Sequence, residues 1–576
     1  MDAGGIATFA FKNQRQMNST KNLSTQRVFA LVAIALFAGA LVSGAQDVQH
    51  LKIAQPGGMP GMPVLTGIEK TTNGIAVTWD GPSGYYQLLR KWGLAGNSWQ
   101  PVGGPNLTRE ATISELTSNA FFRVSGPSPQ YAGAQACAEC HENIHTTEIE
   151  TRHAYALETL QNVHQDKNPS CLPCHTVGFG LPTGFVDATT TPQLAGVQCE
   201  SCHGPAGNHA ASEFDLTVRP RVEIAATVCG GCHTGSHHPT FDEFETSAHA
   251  EVTEENMNAN SCGRCHIGSA RLAMLKGEPV PQNDRNIGVM CTVCHDPHGN
   301  RSFTNVVSGV VYANQLRNPL SSTNDYFLTT SDVFTNKYDP DINLCAQCHN
   351  HRGANWTSSS RPPHHSPQYN MLLGTVGILP NGDIGGPAVH AGTRFVTNSL
   401  NQALLITNQC VTCHMQTEEH QDGPPEVAAM TGHSFRVDSF KACVECHGSQ
   451  GSAQGLTELV HGLISTEIQQ VKVALDTWAA DTSKVPVEIQ SYGKLAWEYD
   501  HAGALSNPTG DDTIRGPVSS PNAALDEQKY IPDNIKKARF NLYIVLHDGS
   551  YGVHNGPYAF ALLRAARDWV QAELNQ

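Results

Sequence analysis

Charge of either sign is scarce in this sequence. Only 15% of its 576 residues are Asp, Glu, Lys or Arg, and Lys and Arg fall short of Asp and Glu by 36 to 52, for a net charge of −16. A chain so poor in cations lacks the basic patches that nucleic acid demands, so nucleic acid is excluded as a partner. An acidic surface keeps a protein soluble and suits a cationic redox partner. Aromatics are also sparse, at 7%, while 52 Gly and 33 Pro mark a chain rich in loops. No segment after residue 42 approaches eighteen consecutive apolar residues, so no transmembrane segment is expected in the mature chain. One further absence matters most: no cysteine is left without a partner at fixed spacing.

Near the start, Lys21 and Arg27 precede fifteen apolar residues, "VFALVAIALFAGALV", from Val28 to Val42. Small residues follow in "SGA". This is the pattern of a secretory signal over residues 1–45, too short for a comfortable membrane span. The expectation is an exported chain, periplasmic or extracellular.

The eighteen cysteines form nine C-x-x-C pairs: Cys137/Cys140, Cys171/Cys174, Cys199/Cys202, Cys229/Cys232, Cys262/Cys265, Cys291/Cys294, Cys345/Cys348, Cys410/Cys413 and Cys443/Cys446. Each pair is followed at once by histidine: His141, His175, His203, His233, His266, His295, His349, His414 and His447. A zinc ribbon needs the paired cysteines but not the adjoining histidine. A disulfide scaffold needs no such spacing, and thioredoxin-type motifs occur singly. C-x-x-C-H is the attachment signature of a c-type haem. Two thiols three residues apart reach the two vinyl groups of one porphyrin, and the next imidazole reaches the iron as proximal ligand. Nine motifs predict nine covalently bound haems.

The chain divides by composition. Residues 46–63 read as a Pro/Gly/Met-rich linker. Residues 64–127 hold short runs such as "GIAVTWDG" and "AFFRVSGP", separated by Gly, Pro and Asn. They predict a small N-terminal β-sandwich resembling a fibronectin type III domain, with no cysteine and no evident site. Residues 128–250 carry the first four motifs and residues 251–450 the other five. At roughly 35 residues per haem there is too little chain for an ordinary core, so porphyrin must supply much of the buried apolar surface. A mainly α, loop-rich haem domain is expected there. Residues 451–576 lack cysteine and show helical periodicity, which predicts a C-terminal helical bundle.

Residues 131–250 resemble the tetrahaem cytochrome that accepts electrons from hydroxylamine oxidoreductase. The carriers of the resemblance are "CAECHENIHTTEIETRHAYALETL", "CLPCHTVGFGLPTGF", "LAGVQCESCHGPAGNH" and "CGGCH". Transferred by position, the resemblance implies His209 as distal ligand to the haem of His141, His153 to that of His233, and His249 to that of His203. It also implies that the haem of His175 keeps one face open, although five further haems could bring a ligand. The tail "HDGSYGVHNGPYAFALLRAA" resembles the closing helical region of multihaem nitrite reductases and hydroxylamine oxidoreductases. The C-x-x-C-K site is missing, and those families' catalytic constellations are not recognisable.

Nineteen histidines lie outside the motifs, enough to give most irons a second imidazole. His298, His365 (beside His364), His390 and His433 are further distal candidates; His554 reads as structural. The leading reading is a nonahaem cytochrome carrying electrons between redox protein partners. A second is an oxidoreductase acting on a small nitrogen or sulfur compound at the His175 haem. A third is an extracellular conduit or filament subunit, for which an oligomer would follow.

Overall fold

The computed structural model describes residues 51–52, 62–92, 99–114, 120–251, 262–281, 287–299, 303–304, 311–312, 315–316, 344–380, 386–391, 396–397, 403–404, 409–421 and 427–576. The expected leader over residues 1–45 lies outside them.

Two small antiparallel sheets open the described chain. The first runs β1 (Leu51–Lys52), β2 (Val64–Thr71), β3 (Gly74–Asp80) and β6 (Glu110–Ile113), in that order. The second runs β5 (Gln100–Pro101), β4 (Gln87–Trp92) and β7 (Ala120–Ser125). Period-two alternation sends Val77 and Trp79 inward from β3. They meet Tyr86, Leu88 and Ile113 in one core. At the end of β3, Asp80 takes Arg109 on Oδ1 at 3.1 Å and Arg221 on Oδ2 at 2.7 Å. Arg221 belongs to the haem-motif region, so this carboxylate joins the two parts.

From residue 130 to 447 the described chain is short helices and loops, with two two-residue strand pairs, 303–304 with 311–312 and 396–397 with 403–404. Each C-x-x-C-H forms about one helical turn, as when His141 N donates to Cys137 O at 2.9 Å and His349 N to Cys345 O at 2.9 Å. One turn sets positions i, i+3 and i+4 on a common face, so both thiols and the imidazole point the same way. Buried Glu200, between the third pair of cysteines, accepts from the backbone N–H groups of Ala132, Gly133 and Ala206. The third motif therefore anchors the segment leading into the first. After His175, Val177, Phe185 and Leu194 pack with Leu157, Leu160 and Leu172 in a small core. Gly178 sits there at φ +66°, and a Cβ on it would lie 2.4 Å from the Tyr131 ring. That turn and that approach both require glycine.

The C-terminal region carries the largest core. The 31-residue helix Gln450–Ala480 packs with Asp533–Asp548 and Gly556–Asn575. Ile464, Ile468, Val471, Leu475 and Trp478 recur at helical spacing and are buried. Inside, the Arg539 guanidinium donates to Trp497 O, Glu498 O and Gln528 Oε1, and Tyr543 Oη donates to Glu498 Oε2 at 2.6 Å. Asn541 and Tyr558 hydrogen-bond Ile378 and Val376, which fixes the bundle to the haem-motif region. No helix among the described residues is long and apolar enough to cross a membrane.

Candidate haem-binding sites

An imidazole nitrogen lies about 2 Å from a first-row metal it ligates and roughly 1 Å from its own ring centroid, so two imidazoles sharing one iron have centroids roughly 6 Å apart. Seven of the nine motif histidines face another imidazole at that spacing. His153 faces His233 at 6.1 Å, His298 faces His203 at 6.0 Å, and His249 faces His349 at 6.1 Å. His433 faces His295 at 6.3 Å, His390 faces His447 at 6.3 Å, and His554 faces His414 at 6.3 Å. His266 has two neighbours, His364 at 6.1 Å and His365 at 6.4 Å. The gaps are too wide for ring contact and match what an iron between the rings requires.

The outer nitrogens are fixed as ligation demands. A ligating imidazole commonly donates its other N–H to a carbonyl or carboxylate, which sets its tautomer and orientation. Here Nδ1 of His175 contacts Ala156 O at 2.7 Å, that of His203 contacts Arg221 O at 2.8 Å, and that of His414 contacts Phe435 O at 3.0 Å. On the facing side, His390 uses Val553 O at 3.0 Å, His433 uses Thr431 O at 3.1 Å, and His554 uses Asp548 Oδ1 at 2.7 Å. Each leaves Nε2 for the metal. Burial holds His233 and His349 down at about 4 and His364 down at about 3, so they stay neutral as ligands must. His554 runs the other way. Its burial disfavours the proton, but Asp548 outweighs that and raises its pKa. By contrast, His351 engages Ala354 O through Nε2, which points it away from a ligand role.

The motifs also touch one another. Cys137 lies beside Cys199, Cys174 beside Cys232, Cys229 beside Cys291, and Cys265 beside Cys348. Cys202 and Cys229, Cys294 and Cys345, and Cys413 and Cys443 lie within electrostatic range of one another. His349 feels His414 and His554, which closes the remaining step. Named by their motif histidines, the sites form a trunk of 141, 203, 233, 295, 349, 414 and 447. The site of His175 hangs from that of His233, and the site of His266 from that of His349.

The eighteen thiols, equivalent in the sequence, are not equivalent in the structure. Cys140 is exposed, whereas the other seventeen are partly covered. Its partner Cys137 lies beside Cys199 of the third motif.

The structure redistributes several other expectations. His153, expected to serve the haem of His233, faces His233. His249 faces His349 rather than His203, and His298 takes the place opposite His203. His554, read as structural, faces His414; only Asp548, six residues upstream, hinted at a ligand. Nδ1 of His209 is buried without a hydrogen-bond partner. Among the described residues, no imidazole stands opposite His141 or His175 at the spacing of the other seven. Near His175 lies His238, whose pKa is lowered by burial and then by His175 and His237. The ring of His237 in turn lies 3.9 Å from that of His420, tilted by 36°.

Turns bearing two thiols and an imidazole, most with a second imidazole one iron's width away, define a class: the chain is a multihaem c-type cytochrome. Within that class, residues 136–204 match the family model described as "Cytochrome c554 and c-prime". The chain is 32% identical to cytochrome c-554 of Nitrosomonas europaea over 154 residues, covering 21% of this chain and 64% of that one. It is 31% identical to the multiheme cytochrome MtrA of Shewanella baltica over 156 residues, covering 23% and 46% respectively. The chain thus spans about half to two thirds of the length of these curated relatives. The outer cell wall cytochrome OcwA aligns with 77% of this chain and 100% of its own, at 18% identity and a TM-score of 0.48.

Proposed function

We propose that the protein is an exported nonahaem c-type cytochrome that carries electrons between redox protein partners through mostly bis-histidine sites. The observation that carries this reading is the set of seven opposed imidazole pairs. A bound haem supplies a one-electron ferric/ferrous couple. The chain does the rest. Its cysteine pairs fix position, its imidazole pairs favour low-spin iron, and its carbonyl and carboxylate partners set ligand strength. The N-terminal module, with its two sheets around Trp79, is read as fibronectin type III-like. Export is supported by the apolar stretch behind Lys21 and Arg27.

A pyridine haemochrome assay is expected to give nine haems per chain. A value near four would overturn the reading, because only the segment resembling the tetrahaem proteins would then be loaded.

One observation favours a second reading for part of the molecule. His175 has no imidazole opposite it among the described residues, and its site is a side branch off the trunk. An open face there would allow a small nitrogen or sulfur compound to bind. A high-spin ferric signal that shifts with nitrite or hydroxylamine supports this second reading; uniformly low-spin spectra refute it.

A further inference from the structure

The β-module has no cysteine and no haem motif, yet it reaches a haem ligand through one residue. Arg221 lies at the join. Its carbonyl oxygen accepts from Nδ1 of His203 at 2.8 Å. Its guanidinium donates to Oδ2 of Asp80, the last residue of β3, at 2.7 Å. Both side chains are largely shielded, with 27% and 18% of their surface exposed. Asp80 is itself held, because Oδ1 accepts from Gly81 N at 2.7 Å and from Arg109 Nε at 3.1 Å. Arg109 also donates to Gly81 O at 3.2 Å. A rigid strand end therefore grips the residue whose backbone orients the imidazole.

We propose that Arg221 is a positioning residue through which the β-module tunes the haem of His203. The link Asp80–Arg221–His203 keeps the carbonyl aimed at Nδ1–H. A well-aligned acceptor there makes the imidazole a stronger donor to iron, which stabilises the ferric state and lowers the midpoint potential. The module is then an electrostatic and geometric brace for one step of the trunk, beyond a spacer. The inference rests on the multihaem reading, specifically on haem attachment at Cys199 and Cys202.

This site has its own spectroscopic label. The His203 and His298 ring planes differ by only 9°, and those of His295 and His433 by 29°. The other opposed pairs differ by 53° to 81°. Parallel imidazole planes split the iron dπ orbitals and give rhombic low-spin spectra, whereas crossed planes leave them nearly degenerate and give large-gmax signals. Two haems are thus expected in the rhombic class, and only one of them adjoins Asp80.

The test is potentiometry of the purified holoprotein, followed by electron paramagnetic resonance, on D80N, R221K and R109Q. The side-chain amide introduced by D80N would keep an acceptor for Gly81 and Arg109 but turn a donor toward Arg221. The expected result is an upward shift of one rhombic signal in D80N, with the second rhombic signal and the large-gmax signals unmoved. R221K, which keeps the backbone carbonyl, shifts the same signal in the same direction but less. R109Q, which removes one of the contacts holding Asp80 but keeps its bond to Arg221, shifts the signal less than D80N. The proposal is overturned if the rhombic signals of D80N and R221K match wild type, or if R109Q moves them equally. A haem count below nine in the unmutated protein, with the rhombic class missing, would instead overturn the haem assignment beneath it.

Discussion

Nδ1 of His554 donates a 2.7 Å hydrogen bond to the buried carboxylate of Asp548, and the same imidazole faces His414 across 6.3 Å. A carboxylate behind a ligating imidazole raises its basicity, so this haem is expected to have a lower potential than one backed by a carbonyl. Replacing Asp548 with Asn keeps the shape and removes the charge. The expected outcome is a low-spin haem whose midpoint potential rises, read by spectroelectrochemistry. Replacing His554 with Ala removes the second imidazole altogether, and a high-spin ferric signal from one haem should appear.

His554 also shows where sequence reading stops. The attachment motifs were fully legible, because the chemistry confines two thiols and an imidazole to five consecutive residues. Their unequal cover was not, since nothing in the first motif sets Cys140 apart from the other thiols. The facing imidazole obeys no local rule either. His554 lies 140 positions beyond His414, and His249 is 100 positions before His349. Many histidines are available to fill such a site, and only the packing of separate segments decides among them. His153 was legible because a resemblance covers both it and His233. The β-module was visible from alternation such as Val77 and Trp79 in β3. Its contact to Arg221 was not, since Asp80 and Arg221 carry no signature that pairs them. The C-terminal bundle was legible from Ile464, Ile468, Val471 and Leu475, whose spacing alone implies a buried helical stripe.

The branched order of motifs predicts unequal effects of removing them. Cys174 Sγ reaches Gly231 O at 4.0 Å, inside the motif of His233, so the His175 site is a spur. Replacing Cys171 and Cys174 with Ala should lower the haemochrome count to eight and leave end-to-end electron transfer rates close to wild type. Replacing Cys291 and Cys294 interrupts the trunk between His233 and His349, so transfer should slow by orders of magnitude. Stopped-flow reduction of each purified variant measures both. Equal rates in the two variants would contradict the order derived from the thiol contacts.

The C-terminal bundle should fail through its core. Trp478 is 1% exposed and Leu475 fully buried on the Gln450–Ala480 helix. Trp478→Ala is expected to cost about 3–5 kcal/mol and Leu475→Ala about 2–5 kcal/mol, by lost burial and the cavity left behind. Val473→Ala, at 60% exposure, should stay within about 0.5 kcal/mol. Urea denaturation followed by far-ultraviolet circular dichroism ranks the three. Comparable losses at all three positions would argue against this packing.

Glu148 gives the stability of the protein a pH dependence with a definite sign. Its side chain is 6% exposed, Oε2 has no hydrogen-bond partner, and burial raises its pKa from 4.5 to about 7. Among the described residues no cation offsets that burial; its field instead reaches Cys137, Cys199 and Cys202. Above pH 4.5 the unfolded chain releases this proton, whereas the folded chain keeps it until about pH 7. Between those values the folded state binds more protons, so its stability falls as pH rises. The contribution is complete below pH 4.5, declines through the window and is spent above pH 7. Its size is on the order of 3 kcal/mol. Glu148→Gln cannot titrate and should flatten this segment of the curve while remaining as stable as wild type at the acid end of the window. Melting curves at closely spaced pH steps compare the two proteins, and a wild-type stability that rises across the window with the same slope in the variant would refute the assignment.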